Sequence, residues 1–208
     1  MAGKGKVLQL TGVRTGSTGW QIVAVATVGG LASAAAGSLA PDDVAEQLAA
    51  ATRLTARWSV LWFLAAFAAR PMHLVAGGIW TVILKRRRHV GLGFAAAHSV
   101  HPVAVALLFL HLGEWPSMVS LVGGGGVFAV IYAMALTSND AAMHRLGRTW
   151  KRLHRAGIWV LWAVFTFAYA GRIVEPDTRL LGIAMSLLLV AAAVLRIPAV
   201  RRALARKG

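Results

Sequence analysis

Six apolar runs, each close to the length a helix needs to cross a bilayer, follow one another along this chain and leave little else for it to fold into. A hydrocarbon core of about 30 Å takes about 20 helical residues. The runs lie near 20–39, 53–70, 90–112, 117–137, 155–173 and 179–197. They predict an all-α polytopic membrane bundle of six transmembrane helices. Composition agrees: 58% of the 208 residues are hydrophobic and the mean hydropathy is +0.66, whereas a soluble domain is about 45–50% apolar.

A net charge of +15 would point to nucleic acid in a soluble protein. Here the cations cluster between the apolar runs, which makes them a topology signal and argues against a nucleic-acid partner. Lys4, Lys6 and Arg14 precede the first run, Lys85 to Arg88 the third, and Arg145, Arg148, Lys151, Arg152 and Arg155 the fifth; Arg201, Arg202, Arg206 and Lys207 follow the sixth. In a six-span arrangement all of these fall on one side. Asp42, Asp43, Glu46, Glu114, Glu175 and Asp177 fall on the other, and only Asp140 breaks the pattern. Positive charge stays in the cytoplasm, so both termini are expected there. The division is a cytoplasmic N-terminal segment 1–19, a six-helix domain 20–198 and a basic cytoplasmic tail 199–208.

Local features refine this outline. The first run has a basic flank and "SLA" before Pro41, as a signal peptide would, but its apolar core exceeds the usual 7–15 residues. Gly29, Ser33 and Gly37 recur every fourth residue, a face that lets another helix come close. We therefore expect a retained span. Pro71 should end the second helix, since it lacks an N–H. The apolar stretch after it, with its basic end, suits a helix lying in the cytoplasmic interface. "GGGG" at 123–126 has no following Lys-Ser/Thr and sits in an apolar run, so it is read as close packing or a helix irregularity rather than a phosphate loop. With no cysteine, thiolate metal and iron–sulfur sites are excluded.

The third run, "VGLGFAAAHSVHPVAVALLFLH", carries His98, His101 and His111 but no charged residue. Ionisable groups inside a membrane are functional candidates by default; the simpler reading is that they hydrogen-bond neighbouring helices. Several imidazoles without carboxylates or thiolates suit haem, which two imidazoles from facing helices can grip axially. His98 and His101 are three apart and share a helix face. They lie about 12 and 16 Å along the run from Val90 at about 1.5 Å per residue. Pro102 cannot donate to the His98 carbonyl, so the helix should loosen there. That loosening makes room for a macrocycle or is an ordinary kink. A facing imidazole is available in His154, at the mouth of the fifth run. Arg148, Arg152 and Arg155 around it are candidate partners for haem propionates as well as positive-inside residues.

Two segments, "RRRHVGLGFAAAHSVH" and "TSNDAAMHRLGRTWKRLHRAGIWV", carry a family likeness. The chain resembles the ferric-reductase-like transmembrane domain, and within it the haem-binding membrane subunit of the bacterial periplasmic methionine sulfoxide reductase system. The resemblance runs from about 55 to 174. Arg87, Arg88, Gly91 and Leu92 match the family's opening of the third span, and His101 falls where that span's ligand is placed. Leu153, His154 and Arg155 match the opening of the fifth span, and Leu136, Thr137 and Ser138 the end of the fourth. The resemblance implies b-type haem between the third and fifth spans and electron transfer across the bacterial inner membrane. One feature departs from it: a second fifth-span histidine is expected about thirteen residues after His154, and the chain has Phe167 there. One haem is therefore expected rather than two, held between His154 and one of His98, His101 or His89.

The function expected is that of an electron-transfer subunit rather than a complete enzyme. No nucleotide-binding glycine fingerprint is present. Electrons should then come from a cytoplasmic flavoprotein or a membrane quinol and leave to an extracytoplasmic reductase or a small acceptor. The alternative is a haem-free membrane partner that keeps the fold alone.

Overall fold

The computed structural model describes residues 17–39 and 43–197. Most of the N-terminal segment, the residues 40–42 at the considered cleavage point and the basic tail 199–208 lie outside them. All regular structure among the described residues is helical, as the apolar runs predict. The helices are α1 (Ser17–Gly37), α2 (Val44–Ala76), α3 (Ile79–Lys85), α4 (Arg87–His98), α5 (Val100–Leu112), α6 (Met118–Leu136), α7 (Asp140–Leu146), α8 (Arg148–Gly171) and α9 (Arg179–Val194). By length and composition four passes can cross a membrane: α1, α2, α4 with α5, and the segment Pro176–Val194. A fifth is reached if α6 and α7 count together, although they are bent by 102°. The 24 residues of α8 are long enough, but Arg148, Lys151, Arg152 and Arg155 fill its first two turns.

The sequence expectation fails at Pro71, and the reason is tertiary. α2 continues through Pro71, which is buried, to Ala76. A proline at this position cannot donate to the carbonyl of Phe67. The Arg196 guanidinium, from just beyond α9, donates to that carbonyl at 2.7 Å and lies 4.3 Å from the Phe67 ring centre. The freed acceptor is thus satisfied and the helix need not stop. It stops instead at Gly77 and Gly78, both at positive φ (55° and 51°), where a side chain would be strained. The helix expected between residues 71 and 89 is the seven-residue α3.

At Pro102 the expectation is met. The third run is one 26-residue pass, interrupted only at Ser99, where the helix loosens between α4 and α5. The four-residue repeat on α1 also acts as read. Gly29 faces the indole of Trp58 and Gly37 faces the backbone of Ala51, so α1 lies close against α2. Trp58 fills the groove and donates to the Ala26 carbonyl at 2.8 Å. The tetraglycine of α6 does neither thing expected of it: the helix runs on unbroken, and a Cβ at Gly123, Gly124, Gly125 or Gly126 would meet nothing within 4 Å.

The core is built around Phe63 of α2, whose ring lies 5.5, 5.6 and 5.0 Å from those of Phe67, Phe94 and Phe165. Ile131, Leu161, Met185 and Leu189 bring α6, α8 and α9 onto it. At one end of the bundle the start of α1 meets the start of α4, with Trp20 edge-on to His89 at 5.8 Å. The end of α6 meets the start of α8 there too, through a 2.8 Å bond from Trp150 Nε1 to the Thr137 carbonyl.

Candidate functional site

That same end holds a cavity of about 500 Å³ between α2, α4, α6, α8 and the residues after α9. Its inner wall is apolar, with Phe63, Phe94, Ile131, Ile158 and Leu161. The rest of its lining includes Arg70, Arg87, Arg88, Lys151, Arg155 and Arg196. Among the described residues Asp140 of α7 pairs with one of them, Arg88, at 2.5 Å. The bond and charge of Arg88 hold the Asp140 carboxyl below the usual carboxylate range. A carboxyl depressed in the folded state stabilises it above the unfolded pKa and loses that contribution as pH falls through the folded one, so acid weakens this exposed pair, whose contribution is small.

His154 is the one imidazole in the cavity lining. It stands on the second turn of α8, stacked on Trp150 with ring centres 4.2 Å apart. Its Nε2 lies 3.1 Å from the Thr137 hydroxyl. That hydroxyl already donates to the Ala133 carbonyl at 2.6 Å, so it accepts from Nε2–H, and the ring lone pair is on Nδ1. The helix starts two turns earlier than the hydropathy predicts, and this puts His154 inside a regular helix rather than at a frayed end.

His98 and His101 lie elsewhere. They stack on each other with ring centres 5.3 Å apart, and both Nδ1 atoms face α2. His98 Nδ1 is 2.7 Å from Ser59 Oγ, which donates to the Ala56 carbonyl and so accepts from the imidazole. His101 Nδ1 is 3.1 Å from the Thr52 carbonyl, an acceptor only. Both rings therefore carry their lone pair on Nε2. Phe94, Phe128 and Phe165 surround His98, which is buried. Phe165 follows His154 by eleven residues on α8, about 16 Å at about 1.5 Å per residue. The two imidazole sets thus sit at different levels of the bundle.

Of the residues read from the sequence, His154 and Arg155 line the cavity; His98 and His101 come together below it. Arg148 and Arg152 are exposed and outside its lining. His89 lies against Trp20 on α1, and His111 is exposed at the end of α5. Phe167 is 83% exposed, on the side of α8 away from Phe165. Sequence reasoning missed Arg70 and Arg196. Arg70 closes an apolar run like any flanking cation, and only the packing of α2 against the residues after α9 brings the two together.

Haem asks for an imidazole nitrogen with a lone pair, an apolar slot and cations for two propionates. The cavity supplies all three, with His154 as its imidazole, so its residues fit the group. Among the described residues no second imidazole lines it, and none faces His98 and His101 from α8.

Comparison with known proteins bears out the resemblance to the haem-binding subunit of a methionine sulfoxide reductase system. Over 121 residues, 55% of its length, the chain is 31% identical to the protein-methionine-sulfoxide reductase heme-binding subunit MsrQ of Rhodospirillum rubrum. The match covers 57% of that protein, so the chain spans little more than half the length of the curated relative. No protein-family model matches the chain, and no solved structure matches it.

Proposed function

We propose that this chain is a b-type haem-binding membrane subunit that carries electrons across the membrane to a reductase partner or a small acceptor. The observation that carries the reading is the cavity around His154, with its apolar inner wall and its surplus of guanidinium groups. The likeness to a heme-binding subunit of a methionine sulfoxide reductase supports it independently. His154 would ligate the iron, and Arg155 with its neighbours would pair with the propionates. Bound haem would supply one-electron transfer. The chain's own part is to hold it dry between Phe63, Phe94 and Leu161. The deeper His98 and His101 are the candidates for a second ligand or a second centre. Absorbance of the purified protein tests the reading. A Soret band with sharp α and β bands on reduction supports it. Haem-free protein from haem-replete cells overturns it in favour of a partner subunit that keeps only the fold. Phe167, exposed where the resemblance expects a histidine, is the observation on that side.

The same reading has six spans and both termini in the cytoplasm of a bacterial inner membrane. The meeting of the starts of α1, α4 and α8 with the end of α6 at one end supports it, because alternate helix ends then share a side. The six-helix domain is 20–198, with the reductase-like core at about 55–174, and the flanking segments are cytoplasmic.

Electrons would enter from a separate cytoplasmic flavoprotein or a quinol. No strand–loop–helix nucleotide unit exists among the described residues. Pure protein mixed anaerobically with NADH or NADPH is therefore expected to stay oxidised, as followed at the reduced α band. Prompt reduction without added flavin or reductase would contradict this.

A further inference from the structure

Four cations of the cavity wall, Arg70, Arg87, Lys151 and Arg155, have no carboxylate partner among the described residues. Asp140 is already committed to Arg88. Asp43, Glu46, Glu114, Glu175 and Asp177 stand at the opposite ends of their helices. Arg87 is partly buried and donates Nε–H to the Ala66 carbonyl at 3.1 Å, which fixes its position without answering its charge. Arg70, Lys151 and Arg155 are exposed, so the four cations gather at the open mouth of the cavity, where they repel one another and an anion can reach them. Two haem propionates would answer two of the four, and two would remain.

The chemistry of the missing anion follows from the walls. Guanidinium groups suit phosphate, to which they can donate in pairs. Phe63, Ile131, Ile158 and Leu161 lie further in, so the recess passes from charged to apolar as an amphiphile does. It also lies at the end of the bundle where the basic connections gather. Basic pockets between membrane helices on that side bind anionic lipid head groups.

We propose that Arg70, Arg87, Lys151 and Arg155 form a binding site for the phosphodiester head group of an anionic phospholipid at the mouth of the cavity. The site goes beyond the haem reading: with haem against the inner wall and its propionates on Arg155 and a neighbour, the phosphate keeps the other two cations at the mouth. Without propionates all four cations are left for the phosphate.

The test is native mass spectrometry of the purified full-length protein in detergent, titrated with dihexanoyl-phosphatidylglycerol, dihexanoyl-phosphatidylcholine and inorganic phosphate. Phosphatidylglycerol is expected to bind saturably and roughly tenfold or more tighter than phosphatidylcholine. The double variant Arg70→Gln with Lys151→Gln should lose that preference. Arg145→Gln with Arg148→Gln, which removes the same charge outside the cavity, should keep it. Arg70→Lys with Lys151→Arg, keeping both charges, should bind as the parent does and guards against a variant that fails to fold. Equal binding of the two lipids, or an equal loss in both glutamine double variants, overturns the site. Inorganic phosphate that binds as tightly as phosphatidylglycerol and displaces it would overturn the lipid as source and leave a soluble phosphate compound in its place. Haem content, read from absorbance of the same samples, reports separately on the haem reading.

Discussion

Replacing His154 by alanine should reduce the haem bound to the purified protein by about tenfold or more, since even losing a partner of a metal ligand costs 10–100-fold. His154 is the imidazole of the cavity, and the rest of the inner wall is hydrocarbon that holds a macrocycle only weakly. The substitution also removes the stack on Trp150 and the bond to Thr137, so thermal melting of the haem-free protein must show the variant folded. His98→Ala and His101→Ala divide the remaining alternatives. If either deep imidazole is the second ligand, that variant becomes five-coordinate and its reduced α band broadens. If neither is, the reduced spectrum of both stays as in the parent. His111, exposed at the far end of α5, is the control. An unchanged spectrum in the His154→Ala variant would remove both the carry-over from the resemblance and the cavity's claim to haem.

Gly37→Val should destabilise the bundle by about 1–3 kcal/mol, the usual cost of overpacking, while Gly124→Val should leave its melting temperature almost unchanged. A Cβ at Gly37 would fall on the backbone of Ala51, and backbone in the middle of a helix cannot step aside as a side-chain tip can. α1 would have to lift from α2, and Trp58 would lose the groove in which it donates to the Ala26 carbonyl. In lipid no hydrophobic force presses helices together, so such close contacts carry much of their association. At Gly124 the added side chain meets open space, and valine replaces the poorest helix former after proline. Thermal unfolding of the two variants in detergent decides it. Equal losses would mean that the small-residue face of α1 does not hold the bundle.

Local chemistry was enough to read a good part of this fold. Each apolar run became a helix, because a stretch of that length has one way to bury its backbone groups in lipid. Pro102 loosened its helix at Ser99, because a missing N–H is a property of the residue and not of its surroundings. Gly29 and Gly37 packed against α2, because spacing alone puts them on one face. The motif around Leu153, His154 and Arg155 pointed to an imidazole that does line a cavity.

Other features depended on what the packed helices bring near. Pro71 has the same missing N–H as Pro102, yet α2 continues, since Arg196, over a hundred residues away, donates to the carbonyl that the proline leaves free. The four glycines of α6 have the composition of a close contact but no described helix lies against them, and nothing local distinguishes an occupied groove from an open one. Arg148, Arg152 and Arg155 look alike in sequence, and the rotation of α8 admits only Arg155 to the cavity while the ends of α2 and α9 bring in Arg70 and Arg196. Depth is of the same kind. The separation of His154 from His98 along the bundle depends on how α8 is placed beside α4 and α5, a matter of packing, because the energy that sets it is spread over side chains from every helix in the core.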